Sequence, residues 1–207
     1  MLKHEPDIFI YKVVADTGGA PCVTVDLLSL AICKPTIRKS AEKGSLIFGF
    51  GGKNYEERLL YIARITEKPE VGDYYRTGDY AKRADCIYRE VDGKAVRKRT
   101  ARYHVDTDHR RKDVGLHFEH AFVLLSRDFR YFGRKGTAAY KERFPQIREM
   151  IQGLTRGHRR YHSPALRKQL LVLQQEVWRR NRRLKIGLPT ERNPGLRCNA
   201  DSPSGRC

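Results

Sequence analysis

The chain has 207 residues and a formal net charge of +18 at pH 7, from 42 Lys and Arg against 24 Asp and Glu. Hydrophobic residues make up 40%, enough to fill a core, which excludes a disordered polyelectrolyte. The charge excess points to a polyanionic partner, and a phosphate backbone rewards each Lys or Arg with counterion release.

No apolar run approaches the roughly 20 residues of a membrane helix. The polar start at residues 1–6 lacks the makeup of a secretory leader, and the five cysteines include no CxxC pair. These features predict a soluble, cytoplasmic protein with reduced thiols and no membrane partner.

In chain order, residues 7–14 are β-branched and aromatic and predict a first strand, and residues 16–21 are turn formers. Residues 23–32 fit strand or helix. Residues 35–43 predict a short helix, with Pro35 at its first position and Gly44 as its stop; Ile37 and Ala41 share one face while Arg38 and Lys39 point outward. Residues 45–50 and 59–66 predict paired strands joined by a glycine turn. An irregular stretch over 71–76 and a long polar loop over 77–112 follow, the loop carrying a hairpin turn at Asp92-Gly93 and Tyr88 as its anchor. Alternation predicts a strand over 115–126, then a turn over 128–133. Pro145 opens a helix that ends near Gly153. Ser163-Pro164 opens another with Leu166, Leu170, Leu173 and Val177 on one face, closed by Gly187 and Pro189. Residues 188–207 read as a disordered tail.

His104, Asp106, Asp108 and His109 invite a metal, but no second ligand group repeats at a recognisable spacing, so the segment reads as a solvated loop. His117 and His120 fall on opposite faces of the predicted strand. Residues 49–53 lack the GxxxxGK[ST] spacing and precede a strand, so they read as a hairpin turn. No GxSxG elbow occurs. Cys33 precedes Lys34 and a helix start, both of which favour a thiolate; the competing reading is a small buried residue. Asp16 with Lys34 or Arg38 forms either a polar site or a structural ion pair. No catalytic residue, metal or cofactor is assigned.

Tyr74, Tyr75, Tyr80, Tyr131 and Phe132 lie beside basic residues, where rings either stack on bases or anchor loops. Arg159 and Arg160 in one cluster, and Arg179, Arg180, Arg182 and Arg183 in another, are candidates for phosphate contact, together with Lys53 in the glycine turn.

Residues 16–21 (DTGGAP), 30–35 (LAICKP) with Ile37-Arg38, Lys43-Gly44, Arg58–Tyr61 leading to Tyr74-Tyr75, and Val123–Ser126 with Phe129–Gly133 resemble the second nucleotide-modification-associated domain. That family is associated with systems that make or handle modified DNA bases in phages and bacteria. The Lys43-Gly44-Ser45 strand start is also similar to the wider PUA-like group, which includes EVE, ASCH and YTH domains, partly open β-barrels that commonly bind nucleic acid. The resemblance implies an α+β chain: a PUA-like mixed barrel over 1–134, a basic helical extension over 135–187, and the tail. It implies a nucleic-acid-binding module, for DNA rather than RNA, that accommodates a modified base. Asp16, Cys33, Lys34, Arg38, Tyr75, Tyr131 and Phe132 would surround the base, in a pocket lined jointly by residues 33–38 and 131–132. The alternatives are a small transferase or hydrolase of base hypermodification using Cys33 and Asp16, and an adaptor for a base-modifying enzyme. The only Trp, Trp178, lies on the last helix, so a Tyr or Phe would have to serve in any aromatic cage.

Overall fold

The computed structural model describes residues 5–104, 107–155 and 157–190. The predicted tail falls almost wholly outside them.

Strand β1 (Ile8–Val13) starts the chain, followed by β2 (Cys22–Val23), β3 (Leu28–Leu30), helix α1 (Pro35–Ser40), β4 (Leu46–Gly51) and β5 (Leu59–Arg64). Helix α2 (Asp73–Arg76), the hairpin β6 (Tyr88–Val91) and β7 (Lys94–Arg97), and helix α3 (Thr107–Asp113) come next. Then come β8 (Leu124–Ser126), β9 (Asp128–Tyr131), α4 (Tyr140–Arg143), α5 (Pro145–Gly153), β10 (His158–Arg159) and α6 (Pro164–Arg180).

The main sheet has the order β10-β1-β4-β5-β9. β1 and β4 are parallel, with Ile8 opposite Leu46, and the other pairs are antiparallel. Every residue of β4 is buried, because both faces are covered. On one face Ile8, Ile10, Phe48, Phe50 and Ile62 meet Ile147, Ile151, Leu166, Leu170 and Leu173 of the helices. On the other face Phe9, Tyr11, Ile47, Tyr61, Ala63 and Tyr131 meet Leu28, Leu30, Ile37 and Leu124. A third cluster, around Tyr74, Tyr75, Tyr88 and Phe118, lies under the hairpin. The helices after Arg134 therefore share one core with the strands before it.

The mixed α+β character is present. A closed barrel is not: among the described residues the main sheet keeps β10 and β9 at separate edges, and β2-β3-β8 form a second sheet. Among the same residues no helix is long and apolar enough to cross a membrane.

Several local expectations change. The strand predicted over 115–126 shrinks to Leu124–Ser126, because Gly115 (φ 77°) and Phe118 (φ 67°) turn the backbone and bury Phe118 in the third cluster. His117 and His120 are exposed there. The turn predicted over 128–133 begins as strand β9, since Phe129 and Tyr131 pack inward while β9 pairs with β5. The loop over 77–112 contains the hairpin, whose Asp92 (φ 49°) and Gly93 (φ 71°) supply the left-handed turn, with Tyr88 fully buried. It also runs into α3.

Helix α6 begins as expected, the Ser163 hydroxyl accepting the Leu166 N–H at 3.3 Å. It ends at Arg180 rather than near Gly187, because the following chain leaves the helix to pair with β9: Tyr131 N–H donates to Leu184 O and Ile186 N–H to Tyr131 O, each at 2.8 Å. That edge of the sheet is thereby covered. Trp178 fastens α6 to the same strand, its indole N–H donating to Asp128 at 2.6 Å with Arg130 over its ring.

Candidate functional site

A row of aromatic residues crosses the main sheet. Tyr11 on β1 is in register with Gly49 on β4, Gly49 with Tyr61 on β5, and Tyr61 with Tyr131 on β9. Gly49 has no side chain, so the Tyr61 ring lies over it and the Tyr11 and Tyr61 hydroxyls meet at 2.7 Å across the intervening strand. A Cβ at Gly49 would press into that ring. Gly49→Ala is therefore expected to lower stability by about 1–3 kcal/mol through overpacking. Urea unfolding checks this, with an unchanged midpoint as the contrary outcome.

The row ends at Asp16, in the loop after β1. The Tyr131 hydroxyl donates to Asp16 Oδ2 at 2.8 Å, and the Asp16 N–H donates to the Tyr55 hydroxyl at 2.9 Å. Thr190 N–H donates to the Asp16 main-chain oxygen, also at 2.9 Å. Asp16 is 1% exposed, and its Oδ1 accepts no hydrogen bond of regular geometry from the described residues. Burial pushes its carboxyl up from 3.8 to about 6, against the opposing pull of the Tyr131 hydroxyl and the Gly18 N–H. Burial also raises Tyr11, Tyr61 and Tyr131, so these phenols stay protonated.

The other end of the row meets the turn before α1. Cys33 (φ 58°) and Lys34 (φ 49°) are consecutive left-handed residues, an uncommon conformation outside glycine that costs energy unless neighbours hold it. Asp113 holds one side, its Oδ2 accepting the Cys33 N–H at 2.8 Å; Arg38 holds the other, its Nε donating to Cys33 O at 2.6 Å. The Lys34 ammonium sits 4.9 Å from the Tyr11 ring centroid. His158 is held below its ordinary value by burial first, then by Lys34 and Arg160.

Asp16, Tyr131, Cys33 and Lys34 are thus brought onto one continuous surface of contacts. Arg38 is not where the helical wheel put it. It is 0% exposed, and its guanidinium also donates to Phe122 O at 2.7 Å and to Asp113 Oδ1 at 2.6 Å. Interior carbonyls and a carboxylate replace water around it, so its donors are spent on the protein. Tyr75 is buried in the third cluster, its hydroxyl donating to Ala31 O at 2.8 Å. Phe132 packs on the opposite face of the sheet from Tyr131, where it lines a cleft of about 200 Å³ with Tyr140, Arg143, Phe144 and Arg180. None of residues 33–38 lines that cleft.

Among the cations, Lys53, Arg159, Arg179, Arg180, Arg182 and Arg183 are exposed, and Arg160 pairs with Asp7 at 2.9 Å. Among the described residues none of the four arginines around the end of α6 has an acidic partner.

Sequence reasoning missed Tyr11, Tyr61 and Asp113, and set His104 aside as part of a solvated loop. It also missed a second buried network, in which Asp85 accepts from Ser29 at 2.5 Å and from Tyr74 at 2.6 Å while Arg83 donates to Ser29 at 2.7 Å. Tyr80 stacks on Tyr74 there, with centroids 4.6 Å apart. Tyr11 and Tyr61 share strand positions that a parity count locates; the charged run before Asp113 carries no such signal. His104 is 2% exposed rather than in a solvated loop; Asp106 and the side chains of Asp108 and His109 lie outside what the structure describes.

Comparison with curated proteins and with solved structures found no match. Residues 5–192 match the family described as nucleotide modification associated domain 2, and the chain belongs to that family.

Proposed function

We propose that this chain is a nucleic-acid-binding module that accommodates one base, a modified base of DNA, at the Asp16 end of the tyrosine row. The observation that carries the reading is the Asp16 carboxyl: a buried acceptor with one oxygen lacking a regular hydrogen bond is costly to maintain without a ligand. In this reading Oδ1 accepts an N–H from the base edge, and Lys34 meets phosphate or a second polar edge. Arg179, Arg180, Arg182 and Arg183 hold the backbone. The chain runs from Arg183 along β9 to Thr190, which bonds to Asp16, so the arginines and the carboxyl lie at two ends of one short segment. The open sheets are compatible with the partly open barrels of the PUA-like group, and a base-modifying enzyme is the natural partner.

Fluorescence anisotropy on duplexes with and without modified bases, over a salt series, tests this. Replacing the four arginines by alanine is expected to weaken all duplexes alike and reduce the salt slope by about 3–4. Asp16→Leu is expected to remove discrimination between modified and unmodified duplexes, about 1–3 kcal/mol, with the salt slope kept. Equal affinity of every variant for every duplex would reject the assignment.

A carboxyl near pH 6 also suits proton transfer, which favours a second reading as a small enzyme of base modification with Asp16 as general acid or base. Nucleoside mass spectrometry after incubation with modified DNA separates the two: a mass change selects the enzyme.

A further inference from the structure

Beside the Tyr11 end of the row, three side chains from distant parts of the chain converge. Cys33 lies in the left-handed turn before α1, His104 precedes α3, and Asp113 ends it. One ligand atom from each, the Cys33 sulfur, an imidazole nitrogen and a carboxylate oxygen, lies within 4.8 Å of the others. His104 Nε2 faces Asp113 Oδ2 at 3.1 Å, while its Nδ1 bonds to the Tyr88 hydroxyl at 3.0 Å.

We propose that Cys33, His104 and Asp113 form a three-ligand site for a divalent transition-metal ion of the zinc type, with a fourth position left for an oxygen ligand. One thiolate, one imidazole and one carboxylate make a borderline-soft donor set, which suits zinc and disfavours magnesium and calcium. The supporting shell is present. Tyr88 fixes the far nitrogen of His104, and Arg38 holds Asp113 Oδ1 at 2.6 Å, leaving Oδ2 directed at His104 and the Cys33 turn. Tetrahedral zinc places such atoms about 3.4–3.6 Å apart. Closing the gap takes small side-chain rotations, with the His104 nitrogen that faces Asp113 unprotonated so that it can ligate. With the thiolate and the carboxylate counted against the ion and Arg38, one net positive charge is left, which favours hydroxide or a phosphate oxygen as fourth ligand. Asp113 and His104 are buried and Cys33 is half-buried, so the ion is reached from the Cys33 side. The inference stands independently of base binding at Asp16.

Cobalt(II) titration of the 207-residue chain carrying Cys198→Ser and Cys207→Ser tests it, because those two thiols lie outside the described residues. One equivalent is expected to bind, with a thiolate-to-cobalt charge-transfer band and visible bands of tetrahedral intensity. Cys33→Ser in that background is expected to lose the charge-transfer band, and His104→Gln to weaken binding at least about tenfold. Zinc added to the unsubstituted chain is expected to slow alkylation of Cys33 at least about tenfold, mapped by peptide mass, while Cys22 and Cys86 are unaffected. That measurement needs no variant to fold. Absence of stoichiometric uptake, a band that survives Cys33→Ser, or alkylation of Cys33 unchanged by zinc would each overturn the proposal.

Discussion

Replacing Arg38 by alanine is expected to cost about 3–5 kcal/mol, the range for removing one partner of a buried ion pair. For a chain of this size the matching fall in Tm is about 6–20 °C. The guanidinium is fully buried and serves Cys33 O, Phe122 O, Asp113 O and Asp113 Oδ1 together. Its loss takes the cation from Asp113 Oδ1 and leaves carbonyls of three segments without that donor. Lysine is expected to recover little, because a single ammonium does not reproduce a planar fork reaching three directions. Lys39→Ala, next in sequence but exposed, is the control and should stay within about 0.5 kcal/mol. Thermal and urea unfolding of the three variants check this; equal midpoints for the Arg38 and Lys39 variants would refute the account.

The second large effect concerns Asp16 and has the opposite sign. Its carboxyl rises from an ordinary 3.8 to about 6 in the folded chain. Between those values the folded protein keeps a proton that the unfolded chain has released. The contribution of Asp16 to stability is therefore greatest below pH 3.8, falls as pH rises to about 6, and is flat beyond. Holding the charge at pH 7 costs about 3 kcal/mol. Asp16→Asn removes the charge and keeps the shape, so it is expected to raise stability by about 1–3 kcal/mol at pH 7. The gain should shrink towards zero near pH 4, where both side chains are neutral. Urea unfolding at the two pH values reads the difference directly. A variant less stable than the parent at pH 7, or a gain independent of pH, would contradict it. More stability with less ligand discrimination is the pattern of a residue kept for function.

Much of the framework was legible because apolar runs speak plainly. Residues 45–50 and 59–66 predicted β4 and β5, and Ser163-Pro164 with the leucine spacing predicted α6. The failures share a cause: alternation and turn-former counts see neighbours in sequence, whereas packing is decided by neighbours in space. Residues 115–123 alternate yet form turns, because Phe118, Ala121 and Val123 serve the third cluster. Asp128 and Gly133 look like a turn, yet the residues between them complete the main sheet. Tyr131 and Phe132 were expected to line one pocket with residues 33–38, but consecutive residues leaving a strand face opposite sides. Of the site, Asp16, Cys33 and Lys34 were legible as residue types. Their linkage runs through Tyr11 and Tyr61 over Gly49, a contact across three strands that no local spacing encodes. Arg38 was misplaced because its solvation comes from Asp113, far along the chain.

The hydrogen bond from Thr190 to the Asp16 backbone fixes where the chain leaves the described fold. A dye or a fused protein joined after that residue begins its path at the buried carboxyl rather than at some remote pole. An environment-sensitive fluorophore attached there is placed to report occupancy, and a bulky fusion on that end is placed to obstruct it.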